Sequence, residues 1–399
     1  MTLSRPLTLA AAICAPAVLA AQGAPVQQGA ANADFEPAFA EQTRAPAMDG
    51  PEVTHAPFAE GLVHPWGIAA LPGGGYLVTE RPGRLRQVSA DGTVMEPISG
   101  VPEVDARRQG GLLDVAVRDD FADTRRVWLT YAKMIDDGTV TAAATAVLSA
   151  DGTTLEDVQE IFVQQPGSSN PAHYGSRIVF EPGTDNVFIT TGEHFSQRDR
   201  QLAQDLDTTY GKVVRVNALD GSAPEDNPNV GEDGIDTIWS YGHRNLQGAA
   251  IHPETDALWT IEHGPAGGDE LNRPVPGRNY GWPVISYGVN YSGSPVGSGE
   301  AVREGMEQPV YYWDPVIAPG GMIWYEGEMF PEWQGDLLIG GLVAASVVRL
   351  DLEDGRVTGE ERVAQGIGRV RDVEEAPDGA LLVLIDAPEG GIDRIERAQ

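Results

Sequence analysis

Residues 66–80, WGIAALPGGGYLVTE, put two apolar runs on either side of a Pro-Gly-Gly-Gly turn, so the second strand should return antiparallel to the first. The same form recurs at 111–131 (GLLDVAVRDDFADTRRVWLTY), 176–193 (SRIVFEPGTDNVFITTGE), 248–264 (GAAIHPETDALWTIEHG) and 372–386 (DVEEAPDGALLVLID). A looser sixth copy, GMIWYEGEMFPEWQGDLLIGG, occupies 321–341. Asp-Gly turn signals at Asp91, Asp137, Asp151, Asp220, Asp233, Asp354 and Asp378 punctuate the rest, and convincing amphipathic helical stretches are scarce. Six strand-turn-strand units at long spacing suit the blades of a propeller joined by long loops, so the expected fold is all-β, a six-bladed β-propeller. A sandwich or a pair of barrels would produce similar hairpins, but the repeats argue against both.

Working outward, residues 1–20 carry one Arg, an apolar run and the small residues Ala20 and Ala21, the pattern of an export signal cleaved near Ala20. That run is too short and too rich in alanine for a membrane anchor. Residues 21–51, rich in Ala, Gln, Pro and Glu, read as a flexible spacer, which leaves 52–399 as the propeller domain. The single cysteine, Cys14, lies in the signal, so the exported chain would contain no disulfide and would reside in a compartment such as the periplasm. With 27 basic and 59 acidic side chains the formal charge is −32, which disfavours nucleic acid and anionic lipid and favours cations such as calcium. No membrane insertion is expected, and the protein is read as a monomer or homodimer.

Walker, G-x-S-x-G, H-E-x-x-H and C-x-x-C motifs are all missing, so nucleotide, serine-hydrolase and zinc chemistry have no local signature. In a propeller, polar residues far apart in sequence converge at the blade corners, and there the chain places Gln109, His173, Arg244, Asn245, Gly264, Pro265, Arg369 and Arg371. His173, at a strand start, is either a general base or a hydrogen-bonded packing residue. Arg369 and Arg371, two apart, share a face of an extended segment and suit a ligand with several carboxylates. The stretch 261–283, IEHGPAGGDELNRPVPGRNYGWP, can turn backbone carbonyls toward one point, with Asp269 and Glu270 as further hard oxygens for calcium. It could equally be a long inter-blade loop.

The ordered set QGGLLDVAV, HYGSRIVFEP, YGKVVRVNALDGSAPEDNP, SYGHRNLQG, EHGPAGGDELN, GRNYGWP and RVRDVEEAPDG resembles the soluble PQQ (pyrroloquinoline quinone)-dependent aldose sugar dehydrogenases of the glucose/sorbosone dehydrogenase family. The likeness runs from about residue 58 to the C-terminus. It implies a six-bladed propeller that uses PQQ and Ca2+ to oxidise aldose sugars at C1 to lactones and passes electrons to an external acceptor. By this resemblance His173 is the base, Gln109 positions the anomeric hydroxyl, and Arg244 stabilises charge at the quinone. Asn245, Arg369, Arg371 and Trp313 would contact the cofactor. The Gly264 and Pro265 carbonyls would bind the bridging calcium, with Glu270 and the Tyr280 carbonyl at a second one. The chain departs from the pattern in two places: Val343 stands where glucose-oxidising members carry a cofactor-contacting lysine, and Ala172 where they carry an acid before the histidine. Two other readings remain, a calcium-dependent propeller lactonase and a non-catalytic sugar-binding propeller. The preferred aldose and the electron acceptor are not legible.

Overall fold

The computed structural model describes residues 23–27, 29–228 and 234–399. The export signal at 1–20 and the Asp233 turn lie outside the described residues. Six sheets surround a central channel, and each repeat read from the sequence forms the two innermost strands of one blade. The innermost strands are Pro65–Ala70 (blade I), Leu112–Val117 (II), Gly175–Phe180 (III), Leu246–Ile251 (IV), Pro319–Trp324 (V) and Val370–Glu375 (VI). Blade I has three strands and the other five have four.

The ring is closed by its two ends. Val53–Leu62 is the outermost strand of blade VI and pairs antiparallel with the C-terminal strand Gly390–Arg397, from Val53 opposite Arg397 to Leu62 opposite Gly390. Closing a circular array this way leaves no gap between the first blade and the last.

The strand period of two explains the core. In Tyr76–Glu80, Tyr76 and Val78 pack toward blade VI while Leu77 faces blade II. In blade V, Leu337 and Ile339 face blade IV, and Leu338 faces blade VI. Every sheet is thus covered on both faces, which is why its central strands are continuous apolar runs rather than alternating ones. The core is a ring of wedges between neighbouring blades.

The described residues 23–27 and 29–51 are not a loose spacer. They form a strap across the outer edges of blades IV and V, with bridges pairing Pro25 with Pro46 and Ala47 with Glu360. Gln27 donates to the Tyr311 hydroxyl at 3.0 Å and to Glu360 Oε2 at 3.1 Å. The backbone and side-chain amides of Asn32 and the Ala33 N–H donate to the Asp314 carboxylate at 2.6–2.9 Å. Buried Gln42 donates to the Pro309 carbonyl at 3.0 Å and accepts from the Tyr287 hydroxyl at 2.9 Å. The composition suggested disorder, but these polar side chains satisfy buried groups on the outer strands that would otherwise be unpaired.

Candidate active site

Residues at the starts of the innermost strands share one rim of the channel, because every blade runs its first strand in the same direction. That rim carries Gln109 before blade II, His173 before blade III, Arg244 and Asn245 before blade IV, and Arg369 with Arg371 at blade VI. Gly264 and Pro265 follow the second strand of blade IV, Leu258–Glu262, and so return to the same rim. Gln109, Asn245, Arg369 and Arg371 line one cavity of about 370 Å³. A second hollow beside it, about 440 Å³, is walled by Glu193, Phe195, Arg244, Pro265, Trp282 and Tyr291. Gly264, Pro265, Glu270 and Tyr280 surround a third, of about 10 Å³, room for a single small occupant.

His173 is buried, and its Nδ1 lies 2.9 Å from Glu193 Oε1. The other Glu193 oxygen accepts the Phe195 N–H at 2.6 Å, and Gln109 Oε1 accepts the His173 backbone N–H at 2.8 Å. Gly192 permits this corner, since a Cβ there would lie 1.9 Å from the His173 carbonyl oxygen. Burial, then the Arg244 and Arg108 cations, hold the imidazole well below the usual histidine range. Burial likewise pushes the Glu193 carboxyl up to about 7, against the pull of Arg244. A neutral imidazole with its Nδ1 proton directed at a carboxylate leaves Nε2 as a proton acceptor, the arrangement of a base. Glu193 was not singled out from sequence; the signal was the Gly-Glu pair ending the third repeat. It supplies the orienting carboxylate that Ala172 does not.

The cations of the rim are unsaturated. Among the described residues no carboxylate lies within ion-pair distance of Arg244 or Arg369, and the buried Nε atoms of Arg244 and Arg371 have no hydrogen-bond partner. Arg244 donates to the His263 carbonyl at 2.8 Å and lies 5.1 Å from the Trp282 ring centroid. Arg371 donates to Gln247 Oε1 at 2.8 Å and to Asp386 Oδ2 at 2.7 Å. Burial opposes ionisation of Asp386, but Arg371 holds its carboxyl down at about 2. Below them Arg177 bridges Asp114 and Asp372, 2.8 Å from each, and ties blades II, III and VI together across the channel.

Two expectations need correction. Asp269 is not free for a metal: its carboxylate accepts the N–H groups of Gly264, Ile317 and Ala318 at 2.7–2.9 Å, fastening the Gly-Pro loop to blade V. Trp313 is not at the rim. It is fully buried on the outermost strand of blade IV, Tyr311–Trp313, edge-on to Tyr311 and with its indole N–H 3.4 Å from Glu360. Its backbone carbonyl accepts the Gly268 N–H at 2.8 Å, but its ring packs against Tyr311 and Glu360 at the outer edge of the blade, an offset that local motif matching did not resolve. Among the described residues no cluster of three or more His, Cys, Asp or Glu is placed to hold a metal. The Gly264, Pro265 and Tyr280 carbonyls accept no hydrogen bond from a described residue, however, and Gly267 and Gly268 at φ +82° and +73° turn the loop there. With Glu270 these are hard oxygens suited to calcium.

Comparison with known proteins agrees with this geometry. The family model described as Glucose / Sorbosone dehydrogenase matches residues 62–394. The chain belongs to that family. It is 45% identical to the aldose sugar dehydrogenase YliI of Escherichia coli (strain K12) over 340 residues, 84% of this chain and 90% of that one. The crystal structure of the soluble aldose sugar dehydrogenase from Escherichia coli in the apo-form superposes with a TM-score of 0.82 at 41% identity, over 87% of this chain and all of that one. The PQQ-bound aldose sugar dehydrogenase from Streptomyces coelicolor superposes at 0.70 with 26% identity, over 87% of this chain and 99% of that one. This family member is therefore an oxidoreductase built on the six-bladed propeller.

Proposed function

We propose that the protein oxidises aldose sugars at C1 to lactones, with PQQ and calcium bound at the rim and electrons passed to an external acceptor, after export to the periplasm. The observation that carries this reading is the meeting of one imidazole, oriented by Glu193, with three buried or rim guanidiniums on a single face. Bound PQQ supplies a two-electron acceptor; the remaining tasks fall to the chain. His173 Nε2 takes the proton of the anomeric hydroxyl while Glu193 keeps the imidazole in the required tautomer. Gln109, whose oxygen is held by the His173 N–H, has its amide NH2 left to donate to the same hydroxyl.

Arg244 faces the place where negative charge grows, a contact of the type commonly worth on the order of 10²–10³ in rate. Arg369 and Arg371 neutralise cofactor carboxylates, and Asn245, whose oxygen already accepts the Gly175 N–H at 3.0 Å, offers its NH2. The Gly264 and Pro265 carbonyls would hold one calcium ion, and Glu270 with the Tyr280 carbonyl a second. Phe195 and the exposed Tyr291 give the sugar an apolar wall. The test is reconstitution: apoprotein given calcium and PQQ should change its quinone absorbance on addition of an aldose and support dye-linked oxidation. An unchanged spectrum with PQQ bound would overturn the proposal, and lactone hydrolysis with calcium alone would replace it.

A further inference from the structure

We propose that Arg81 of blade I is a third anchoring cation for the carboxylates of the bound cofactor. This rests on the functional reading above and extends it to a residue which that reading does not use. Arg81 lines the 370 Å³ cavity together with Arg369 and Arg371, whereas blade V gives the same cavity only the apolar Ala318 and Leu342, the latter followed by the exposed Val343. Its backbone is held firmly. The Arg81 N–H donates to the His64 carbonyl at 3.1 Å, and its carbonyl accepts the Leu112 N–H at 3.3 Å. Gly111, at φ +141°, allows that approach, since a Cβ there would lie 2.1 Å from the Arg81 oxygen. The side chain is anchored at one point only: Nη1 donates to the Arg108 carbonyl at 3.0 Å, and the buried Nε has no partner.

Charge sharpens the argument. Asp386 lines the cavity, but no ion pair joins it to Arg81: one of its oxygens accepts from Arg371 and the other lies 2.8 Å from His64 Nδ1. Among the described residues no carboxylate lies within ion-pair distance of Arg81, in a chain that carries 59 acidic side chains. Three guanidiniums gathered around a single carboxylate, Asp386, still repel one another, so the arrangement is stabilised when a further anion enters. An arginine that served only to cap the Arg108 carbonyl would have no reason to avoid the abundant carboxylates.

The experiment is equilibrium titration of apoprotein with PQQ in the presence of calcium, read by absorbance or heat, for the wild type, Arg81→Gln and Arg81→Lys. Arg397→Gln on the outer edge of blade VI is the control for loss of one charge. Arg81→Gln is expected to raise Kd roughly ten- to a hundredfold, Arg81→Lys to recover part of the loss, and Arg397→Gln to leave Kd unchanged. The dependence of Kd on salt should weaken in Arg81→Gln. Melting of the apoproteins checks folding; if Arg81→Gln does not fold, Arg81→Lys decides: a Kd several-fold to tenfold above the wild type supports the assignment, because the planar fork is lost, and a Kd within twofold of the wild type overturns it. Wild-type binding with Arg81→Gln within twofold overturns this assignment alone. A folded wild type that does not bind PQQ overturns both it and the functional proposal.

Discussion

Blades III and IV each place a histidine at the corner before their first strand, with a glutamate from the end of the second strand on its Nδ1. In blade III, His173 and Glu193 are 2.9 Å apart; in blade IV, His243 and Glu262 are also 2.9 Å apart. The difference lies at the other nitrogen. His243 Nε2 is 2.9 Å from the Ser240 hydroxyl, and its ring is fully buried and stacked on Tyr280 at 4.6 Å. His173 Nε2 has no hydrogen-bond partner among the described residues, and its ring meets the edge of Phe195 at 4.9 Å. The same pair is a fastening in blade IV and, on the proposed function, a base in blade III, because saturation, not residue type, determines whether a nitrogen can accept a proton.

That comparison can be broken most directly at the histidines. His173→Ala should lower kcat by about 10²–10⁴-fold with an almost unchanged PQQ affinity, at a stability cost of its own because it strands the buried Glu193. His243→Ala should instead cost on the order of 3 kcal/mol of stability, since it leaves a cavity and strands Glu262, and should lower kcat far less. Comparable kinetic losses in the two variants would erase the distinction. At the carboxylates, Glu193→Gln should reduce kcat on the order of 10²-fold by loosening the imidazole, measured with calcium and PQQ saturating. Glu262→Gln should act through stability.

Titration sharpens the contrast further. Burial and the neighbouring cations favour the neutral form of His173, so it is deprotonated already at its ordinary midpoint near 6.5. The acid limb of kcat/KM should therefore fall well below pH 6.5, with a flat profile between pH 6.5 and 8 as far as this group is concerned. Arg244→Gln removes one of those cations and should move the limb upward. A limb that stays in place would show that Arg244 does not act on the imidazole. The smallest effect is expected from Ser240→Ala, which frees His243 Nε2 and should cost about 1 kcal/mol in chemical denaturation without altering turnover.

The fold was largely legible. Apolar alternation in segments such as YLVTE and LLIGG is local, and each segment reports which residues face which neighbouring blade, so the six hairpins could be counted before they were seen. Of the candidate site, Gln109, His173, Arg244, Asn245, Arg369 and Arg371 meet at one rim, as blade-corner positions in a propeller must. Glu193 was overlooked because its role depends on a histidine twenty positions earlier, and Trp313 was misplaced because its ring packs against Tyr311 and Glu360 at the outer edge of the blade.

Composition, strand periodicity and the order of the corner motifs thus determined the architecture and the chemical inventory, since both follow from residue types at short range. The tertiary structure decided which groups are already satisfied. Asp269 is taken up by three backbone amides, His243 by Ser240, and the polar strap at 23–27 and 29–51 by carboxylates and carbonyls of distant blades. Hydrogen-bond saturation and burial arise from residues hundreds of positions apart, and free energy at a buried polar group depends on whether those partners arrive.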